Sequence, residues 1–252
     1  MSSANILNLQ GAVKGSIELP EVFAEQVRID LIRRAVHAEA SRRLQPQGHY
    51  LLAGMQTTAR YYGAMNSYRS GRHMGIAIRP RQKLGGGRQG QVRRIPSAVK
   101  GKRAHPHVVE KTLVEEMNRK EYQKALVSSI AGAATPLVIA NDVESIRKTS
   151  DFMKVVDALK LTDEIEKSRG SRLRKGVRRH SRIRRFRRSL LIVVNEDKGV
   201  IKAARNIPGV DACTLKSIRA ELFAPGGVPG RKTIWSEDAI KNLNSQITKA
   251  EL

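Results

Sequence analysis

Leu190-Leu191-Ile192-Val193-Val194 is an unbroken run of large apolar residues, three of them β-branched. A run of this length and composition predicts a strand buried on both faces, as in a parallel sheet covered by helices. Strand and helix patterns alternate on its C-terminal side: a helical turn over 200–205, strands over 210–214 and 233–235, a helix over 217–223 and a last helix capped by Ser236. This alternation predicts an α/β fold with a parallel-type sheet flanked by helices.

The N-terminal part of the chain has elements of the same kinds. Nearly alternating apolar residues up to Leu19 predict a hairpin or strand pair, and the apolar residues over 137–140 predict a short buried strand. Apolar residues at helical spacing predict three helices. These run from Pro20 to about Leu44, from Val108 to Ala133, and from a Ser150 cap through Phe152, Val155, Val156 and Leu159.

Two segments of the chain, residues 40–109 and 167–195, contain no Asp or Glu. They carry 26 of the 47 Lys and Arg, which leaves the other 153 residues with a net charge of −2. Of these 26 cations 21 are Arg, whereas Lys outnumbers Arg elsewhere in the chain. Because Arg offers a planar fork to phosphate oxygens and stacks on bases, this bias and the exclusion of acids predict surfaces that lie against RNA.

The first of these segments shows no regular pattern over most of its length. From Pro46 to about His107 no period of 2 or 3.6 residues persists, and Gly and Pro interrupt the chain. Such a length without regular structure indicates an extension with its own function, and we expect it to become ordered on its partner. We therefore predict a globular α/β domain formed by 1–45 and 106–252, with a long irregular basic loop extension over 46–105 inserted into it.

The candidate RNA-binding residues are cations of the two acid-free segments and one histidine near the end of the loop. Tyr50, Tyr61, Tyr62 and Tyr68 also lie in the first segment, where they either stack on unpaired bases or anchor the loop locally. A localisation signal is the alternative interpretation of the second segment. The candidates, whose charges would neutralise phosphates, are Arg42, Arg43, Arg60, Arg69, Arg72, Arg79, Arg81, Lys83, Arg88, Arg93, Arg94, Lys100, Lys102, Arg103, His105, Arg172, Arg174, Lys175, Arg178, Arg179, Arg182, Arg184, Arg185, Arg187 and Arg188.

Three features that could indicate catalysis or a cofactor have simpler interpretations. Residues 85–90 match G-x-G-x-x-G, but no strand pattern precedes them and no Asp or Glu follows the first glycine by about 20 residues. His105 and His107 lack Cys or carboxylate neighbours, so RNA contact or a loop end is preferred to a metal site. Cys213 lies in an apolar strand pattern and is expected in the core. The sequence therefore predicts no enzyme, no metal and no cofactor.

Membrane and secretory classes are also disfavoured. No apolar stretch reaches the roughly 18 residues of a membrane span. The N-terminus lacks the basic and then apolar pattern of a secretory signal. The single cysteine excludes an internal disulfide and fits a reducing, cytosolic compartment, so we expect a cytoplasmic protein without membrane contact.

Three stretches of the chain together carry a family resemblance. The chain resembles the universal large-subunit ribosomal protein number four, in its archaeal and eukaryotic branch, over RRIPSAVKGKRAHPH (Arg93–His107) with Val109-Glu110-Lys111, over KAARNIPGV (Lys202–Val210), and over LFAPGGVPGR (Leu222–Arg231) with Thr233-Ile234-Trp235. The similarity spans essentially the whole chain.

The resemblance implies a structural constituent of the large ribosomal subunit that binds ribosomal RNA. Its domain would lie on the outer face of the subunit, and its loop would pack among rRNA helices and reach the peptide exit tunnel beside another protein's hairpin. By position in the loop, the tip candidates are Ser70, Gly71, Arg72 and His73. The implied partners are large-subunit rRNA, neighbouring ribosomal proteins and, at the tip, a nascent chain, with no self-oligomer. The alternative is a non-ribosomal RNA-binding regulator or processing factor.

Overall fold

A computed structural model of the chain divides by its internal contacts into two compact units, Met1–Arg43 with Val114–Leu252, and Leu44–Leu113. The division into domains predicted from the sequence, with its limits at residues 45 and 106, stays a prediction. The structure describes residues 3–50, 57, 59–61, 63, 75–82, 84, 90–92, 95, 98–99, 106–133, 135–169, 172–173 and 184–248, with only the backbone given at 172, 173, 184 and 185.

A six-stranded sheet organises the first unit. Its strand order is β2-β1-β5-β10-β8-β9; β1 and β2 are antiparallel, and every other neighbouring pair is parallel. Two short antiparallel pairs, β3 with β4 and β6 with β7, lie outside this sheet. The described strands are β1 (Ser3–Leu7), β2 (Val13–Glu18), β3 (Ala59–Arg60), β4 (Arg81–Gln82), β5 (Leu137–Ile139), β6 (Arg172–Leu173), β7 (Arg184–Arg185), β8 (Leu190–Val194), β9 (Asp211–Thr214) and β10 (Lys232–Ser236).

Helices cover both faces of the sheet, which confirms the α/β class expected from the alternating pattern. None of the helices in the described ranges is long and apolar enough to cross a membrane. The helices are α1 (Ile29–Ser41), α2 (Arg119–Ala131), α3 (Thr149–Ala158), α4 (Thr162–Arg169), α5 (Val200–Ala204), α6 (Ala220–Phe223) and α7 (Glu237–Ile247).

The Leu190–Val194 run is a central strand of this sheet, as predicted. All five residues of β8 are fully buried, because side chains alternate between two faces that are both covered. Leu190, Ile192 and Val194 pack with α3, α4 and α5 on one face. Leu191 and Val193 pack with α2 and α7 on the other, where Trp235 lies with Phe23 and Phe223 at ring-centroid distances of 5.6 and 5.7 Å.

A third cluster joins α1, α2 and α6 around a buried carboxylate. Glu39 of α1 is 7% exposed, and its Oε1 accepts hydrogen bonds from the Tyr122 hydroxyl and from the Ala220 backbone N–H, both at 2.7 Å. Its Oε2 accepts from the Glu221 N–H at 3.0 Å. One side chain therefore caps the N-terminus of α6 and holds three helices together.

The predicted helix from Pro20 to Leu44 is wrong in its limits. The chain forms a 3₁₀ turn over Glu21–Ala24, is extended through Glu25 and Arg28, and becomes helical only at Ile29. The extended segment between the 3₁₀ turn and α1 is hydrogen-bonded to the side chain of Ser128 on α2. The Ser128 Oγ accepts from the Arg28 N–H at 2.5 Å and donates to the Gln26 carbonyl at 3.2 Å. A distant hydroxyl replaces the helical hydrogen bonds that the apolar spacing had predicted.

The predicted helix from Val108 is also too long, because α2 begins only at Arg119. Residues 112–118 form neither helix nor strand, and the Glu115 N–H donates to Ser41 Oγ at 2.9 Å instead of to a helical carbonyl. Ser150 lies inside α3 and not at its cap, which is Lys148. The helix predicted over 217–223 is a 3₁₀ turn ending at Ser217 followed by the four-residue α6.

Candidate nucleic-acid interface

The structure describes the side chains of seven of the 25 predicted RNA-binding residues, namely Arg42, Arg43, Arg60, Arg79, Arg81, Arg187 and Arg188. For Arg172, Arg184 and Arg185 only the backbone strand is described. Arg69, Arg72, Lys83, Arg88, Arg93, Arg94, Lys100, Lys102, Arg103, His105, Arg174, Lys175, Arg178, Arg179 and Arg182 lie outside the described residues, as do the tip candidates Ser70, Gly71 and His73.

In the unit Leu44–Leu113, the chain lies beside itself near both limits of the predicted loop. His49 Nδ1 is 2.8 Å from the His107 carbonyl oxygen. A Cβ placed on Gly48 would lie only 2.5 Å from Cγ2 of Val109. The outgoing and returning segments are therefore in contact at residues 48–49 and 107–109.

Arginines of this unit oppose each other across a strand pair. Arg60 of β3 and Arg81 of β4 are directly paired in the antiparallel register, and Arg60 is exposed. Like charges placed directly opposite destabilise such a pair unless an anion lies between them.

The glycine motif at residues 85–90 follows a short antiparallel strand, β4, and not the buried parallel strand that a dinucleotide fold requires. Near it, the Gln82 N–H donates to the Gln91 carbonyl and the Gly90 N–H donates to the Gln82 carbonyl.

Just before β8, the second acid-free segment lines a cleft of about 710 Å³, which we call the β8–β9 cleft because it lies where those two strands begin. Its lining combines this part of the segment with the loop after α5 and the start of the glycine-rich loop after α6. The lining residues are Phe186, Arg188, Arg205, Asn206, Ile207, Pro208, Gly209, Val210, Asp211, Glu221, Pro225 and Gly226.

Two carboxylates at the cleft hold arginines that the sequence separates widely. Glu221 forms an ion pair with Arg43 and lies 3.6 Å from Arg188 Nη1. Asp211 lies 3.7 Å from Arg188 Nε and 2.7 Å from Arg231 Nη2. The guanidinium groups of Arg43 and Arg188 are thus oriented by acids from outside the acid-free segments.

Arg231 is buried next to the cleft, with a side chain only 1% exposed, and hydrogen-bonds three backbone carbonyls there. Its Nη1 donates to the Leu222 carbonyl at 2.8 Å, and its Nη2 donates to the carbonyls of Leu190 at 2.6 Å and Gly209 at 3.3 Å. Burial lowers the pKa of this guanidinium, and the nearby Asp211 carboxylate opposes that shift. Arg231 therefore fastens the start of β8 to α6 and to the loop after α5, both of which line the cleft.

Gly209 is required at this position by its backbone and by its neighbours. Its φ is +79°, and an added Cβ would lie 2.3 Å from the Arg187 carbonyl oxygen and 1.8 Å from Ser168 Oγ. The cleft was not predicted from the sequence; the signal that could have indicated it is Phe186, an aromatic residue within a run of arginines.

At the carboxyl ends of β8 and β10, on the edge where α/β sheets commonly bind ligands, lies a buried carboxylate of this protein. Glu144, which is 2% exposed, accepts hydrogen bonds on Oε1 from the Asn195 N–H at 3.0 Å and the Ser236 hydroxyl at 2.9 Å. Lys198 Nζ lies 3.6 Å from its Oε2. This carboxylate links the ends of β8 and β10 and is engaged in structural bonds.

Cys213 of β9 is buried, as the sequence predicted. Burial raises the pKa of its thiol to about 12, with a smaller opposing effect of Arg231. The nucleophilic thiolate is therefore scarce at neutral pH.

Cys213 provides a test of alkaline stability. An unfolded thiol ionises from about pH 8.5, whereas the folded one stays neutral to about pH 12. Stability from this group is complete below pH 8.5 and is lost as the pH rises toward 12. We expect the wild type to lose roughly 2–3 kcal/mol more between pH 8 and 10.5 than Cys213→Ala does, measured by urea unfolding under reducing conditions. Equal pH dependence of the two proteins would contradict the assignment.

Comparison with known proteins identifies the family. The model of the "Ribosomal protein L4/L1 family" matches residues 17–246. Large ribosomal subunit protein uL4 of Archaeoglobus fulgidus is 40% identical over 257 residues, covering 95% of this chain and 97% of the relative. The protein of the same name from Methanococcoides burtonii is 40% identical over 260 residues, covering 96% and 98%. The one from Methanoculleus marisnigri is 40% identical over 257 residues, covering 95% and 98%. The chain therefore belongs to the ribosomal protein L4/L1 family.

Proposed function

We propose that this protein is a non-enzymatic structural constituent of the large ribosomal subunit that binds ribosomal RNA. The observation that carries the proposal is the segregation of charge: 26 cations lie in two segments without a single acid, while the rest of the chain is nearly neutral. The relatives named as large ribosomal subunit proteins support the same assignment. Arg and Lys neutralise phosphates where RNA helices converge, so that these helices can pack.

The finer part of the proposal concerns the loop over 46–105. Its outgoing and returning segments meet where His49 Nδ1 lies 2.8 Å from the His107 carbonyl oxygen, which suits a loop whose two arms run side by side at that point. Arg60 and Arg81, opposed on β3 and β4, would share a phosphate between them. We propose that the loop packs among rRNA helices and reaches the exit tunnel with Ser70, Gly71, Arg72 and His73 at its tip.

The proposed partners are large-subunit rRNA, neighbouring ribosomal proteins and a nascent chain at the tip, in cytoplasmic ribosomes and without self-association. The non-enzymatic role is supported by Glu144, whose hydrogen bonds occupy the edge where α/β enzymes of this topology place their ligands. The candidate cations Arg43 and Arg188 are already oriented by Glu221, which suits positioning of RNA.

Co-sedimentation tests the proposal against the alternative of a free RNA-binding regulator or processing factor. We expect one copy per large subunit after a high-salt wash, because a segment enclosed by folded RNA cannot leave unless the RNA opens. The measurement is quantitative mass spectrometry of washed and unwashed subunits, with a bound translation factor as the control that the wash removes. Loss of the protein together with that factor would favour the alternative.

A further inference from the structure

The β8–β9 cleft carries an exposed aromatic ring at its lining. Phe186 is 45% exposed and lies between two arginines of the second acid-free segment, just before β8. An exposed apolar ring beside guanidinium groups is a ready platform for stacking a base. The cleft volume of about 710 Å³ is in the range of small-ligand sites.

The cations of the cleft differ in how they are held. Arg188 lies within 4 Å of both Asp211 and Glu221, so its guanidinium group is fixed by the protein itself. Arg205 has no carboxylate partner within the described part of the chain. Arg187 lines a smaller neighbouring cleft of about 350 Å³, which shares Arg188 with the first. Arg205 in the cleft and Arg187 in its neighbour are therefore cations available to the phosphates of a bound RNA.

The carboxylates decide which part of a nucleotide can enter. A phosphate inside the cleft would meet the negative charges of Asp211 and Glu221. A nucleobase instead brings amino and ring N–H donors, and an ionised carboxylate offers about four acceptor positions. Gly226 in the wall leaves room for a flat ring, since a Cβ added there would have no heavy atom within 4 Å.

We propose that the β8–β9 cleft binds one unstacked nucleobase of large-subunit rRNA, preferably one with an exocyclic amino group. The ring stacks on Phe186, its amino group donates to Asp211 or Glu221, and the flanking phosphate lies on Arg205. This inference rests on the proposed function and adds to it a defined subsite in the globular domain. Arg231 supports the subsite by bonding α6 and the loop after α5, both of which line it.

The test uses the full-length protein and purified large-subunit rRNA, with transfer RNA as the non-cognate reference. Phe186→Leu removes the ring and keeps the charge, so we expect about tenfold weaker binding to the rRNA with an unchanged salt dependence. Phe186→Tyr is the matched control and should bind within about twofold of the wild type. Arg205→Gln should weaken binding and reduce the slope of log affinity against log salt by about one.

The outcomes distinguish a failure of the nucleobase subsite from a failure of the proposed rRNA-binding function. If Phe186→Leu binds like the wild type, the nucleobase subsite is overturned, whether Arg205→Gln weakens binding through a phosphate or has no effect. If the wild type does not prefer rRNA to transfer RNA, the proposed function fails and the inference with it. Because Phe186 is exposed, its variants should keep the thermal unfolding midpoint of the wild type, which excludes misfolding as the cause of weaker binding.

Discussion

Replacing Arg231 with methionine should lower the free energy of unfolding by about 3–5 kcal/mol, which is a large fraction of the total free energy of unfolding of a typical domain. The carbonyls of Leu222, Leu190 and Gly209 would each lose a charged donor in a buried site. Asp211, one third exposed, would lose the partner 2.7 Å away. Methionine fills similar space but donates nothing, so the cost comes from the charged donor that Leu222, Leu190 and Asp211 lose. The Gly209 carbonyl keeps its bond from the Ser189 N–H at 2.8 Å. Urea unfolding of both proteins at pH 7 gives the difference.

Lys232→Met is the matched control for Arg231→Met. Lys232 is the next residue along β10, and its ion pair with Glu164 spans 3.1 Å, but its side chain is 45% exposed. Exposed pairs contribute about 0–1 kcal/mol, so this variant should stay close to the wild type. The double variant Arg231→Met, Asp211→Asn should recover part of the loss, because it removes the unpaired carboxylate. If Arg231→Met and Lys232→Met lowered the free energy of unfolding equally, the buried hydrogen bonds of Arg231 would not be what stabilises this region.

The fold was predictable wherever an element's own residues determine it. The β8 run, the N-terminal hairpin and the buried face of α3 around Phe152 follow from local apolar spacing alone. The limits of α1 and α2 do not, because they depend on single hydroxyls far away in sequence. Ser128 bonds the backbone of residues 26 and 28, about 100 residues earlier, and Ser41 bonds Glu115. Apolar periodicity carries no signal of such partners.

The candidate site was predictable in its charge but not in its geometry. Exclusion of acids identified the cationic segments, because it is a property of composition. The β8–β9 cleft joins Phe186, Arg205 and Glu221, which only the crossover connections of the sheet bring together. The pairing of Arg43 and Arg188 with Glu221 could not be predicted either, since Glu221 lies outside both acid-free segments.

Deleting residues 46–105, with a short Gly-Ser linker joining Gln45 to Pro106, should abolish incorporation into large subunits and leave a folded domain. The three hydrophobic clusters consist of described residues that come before position 44 or after position 113, so the deletion removes none of them. The closeness of His49 to His107 means that a short linker suffices. The deletion takes away 12 of the 26 cations of the acid-free segments, and with them the contacts that we propose hold the RNA.

Two measurements decide the outcome of this deletion. Thermal unfolding should remain cooperative, with a midpoint within about 5 °C of the full chain. Gradient sedimentation of subunits reconstituted from rRNA and total protein should find the deleted protein unbound. The matched control removes only Ser70, Gly71, Arg72 and His73, which keeps the cations on both sides and should still incorporate. A deletion that unfolds without cooperativity would show that the loop is part of the domain's core. One that incorporates like the full chain would show that the cations it keeps, those of the second acid-free segment together with Arg42 and Arg43, are sufficient for the RNA contacts.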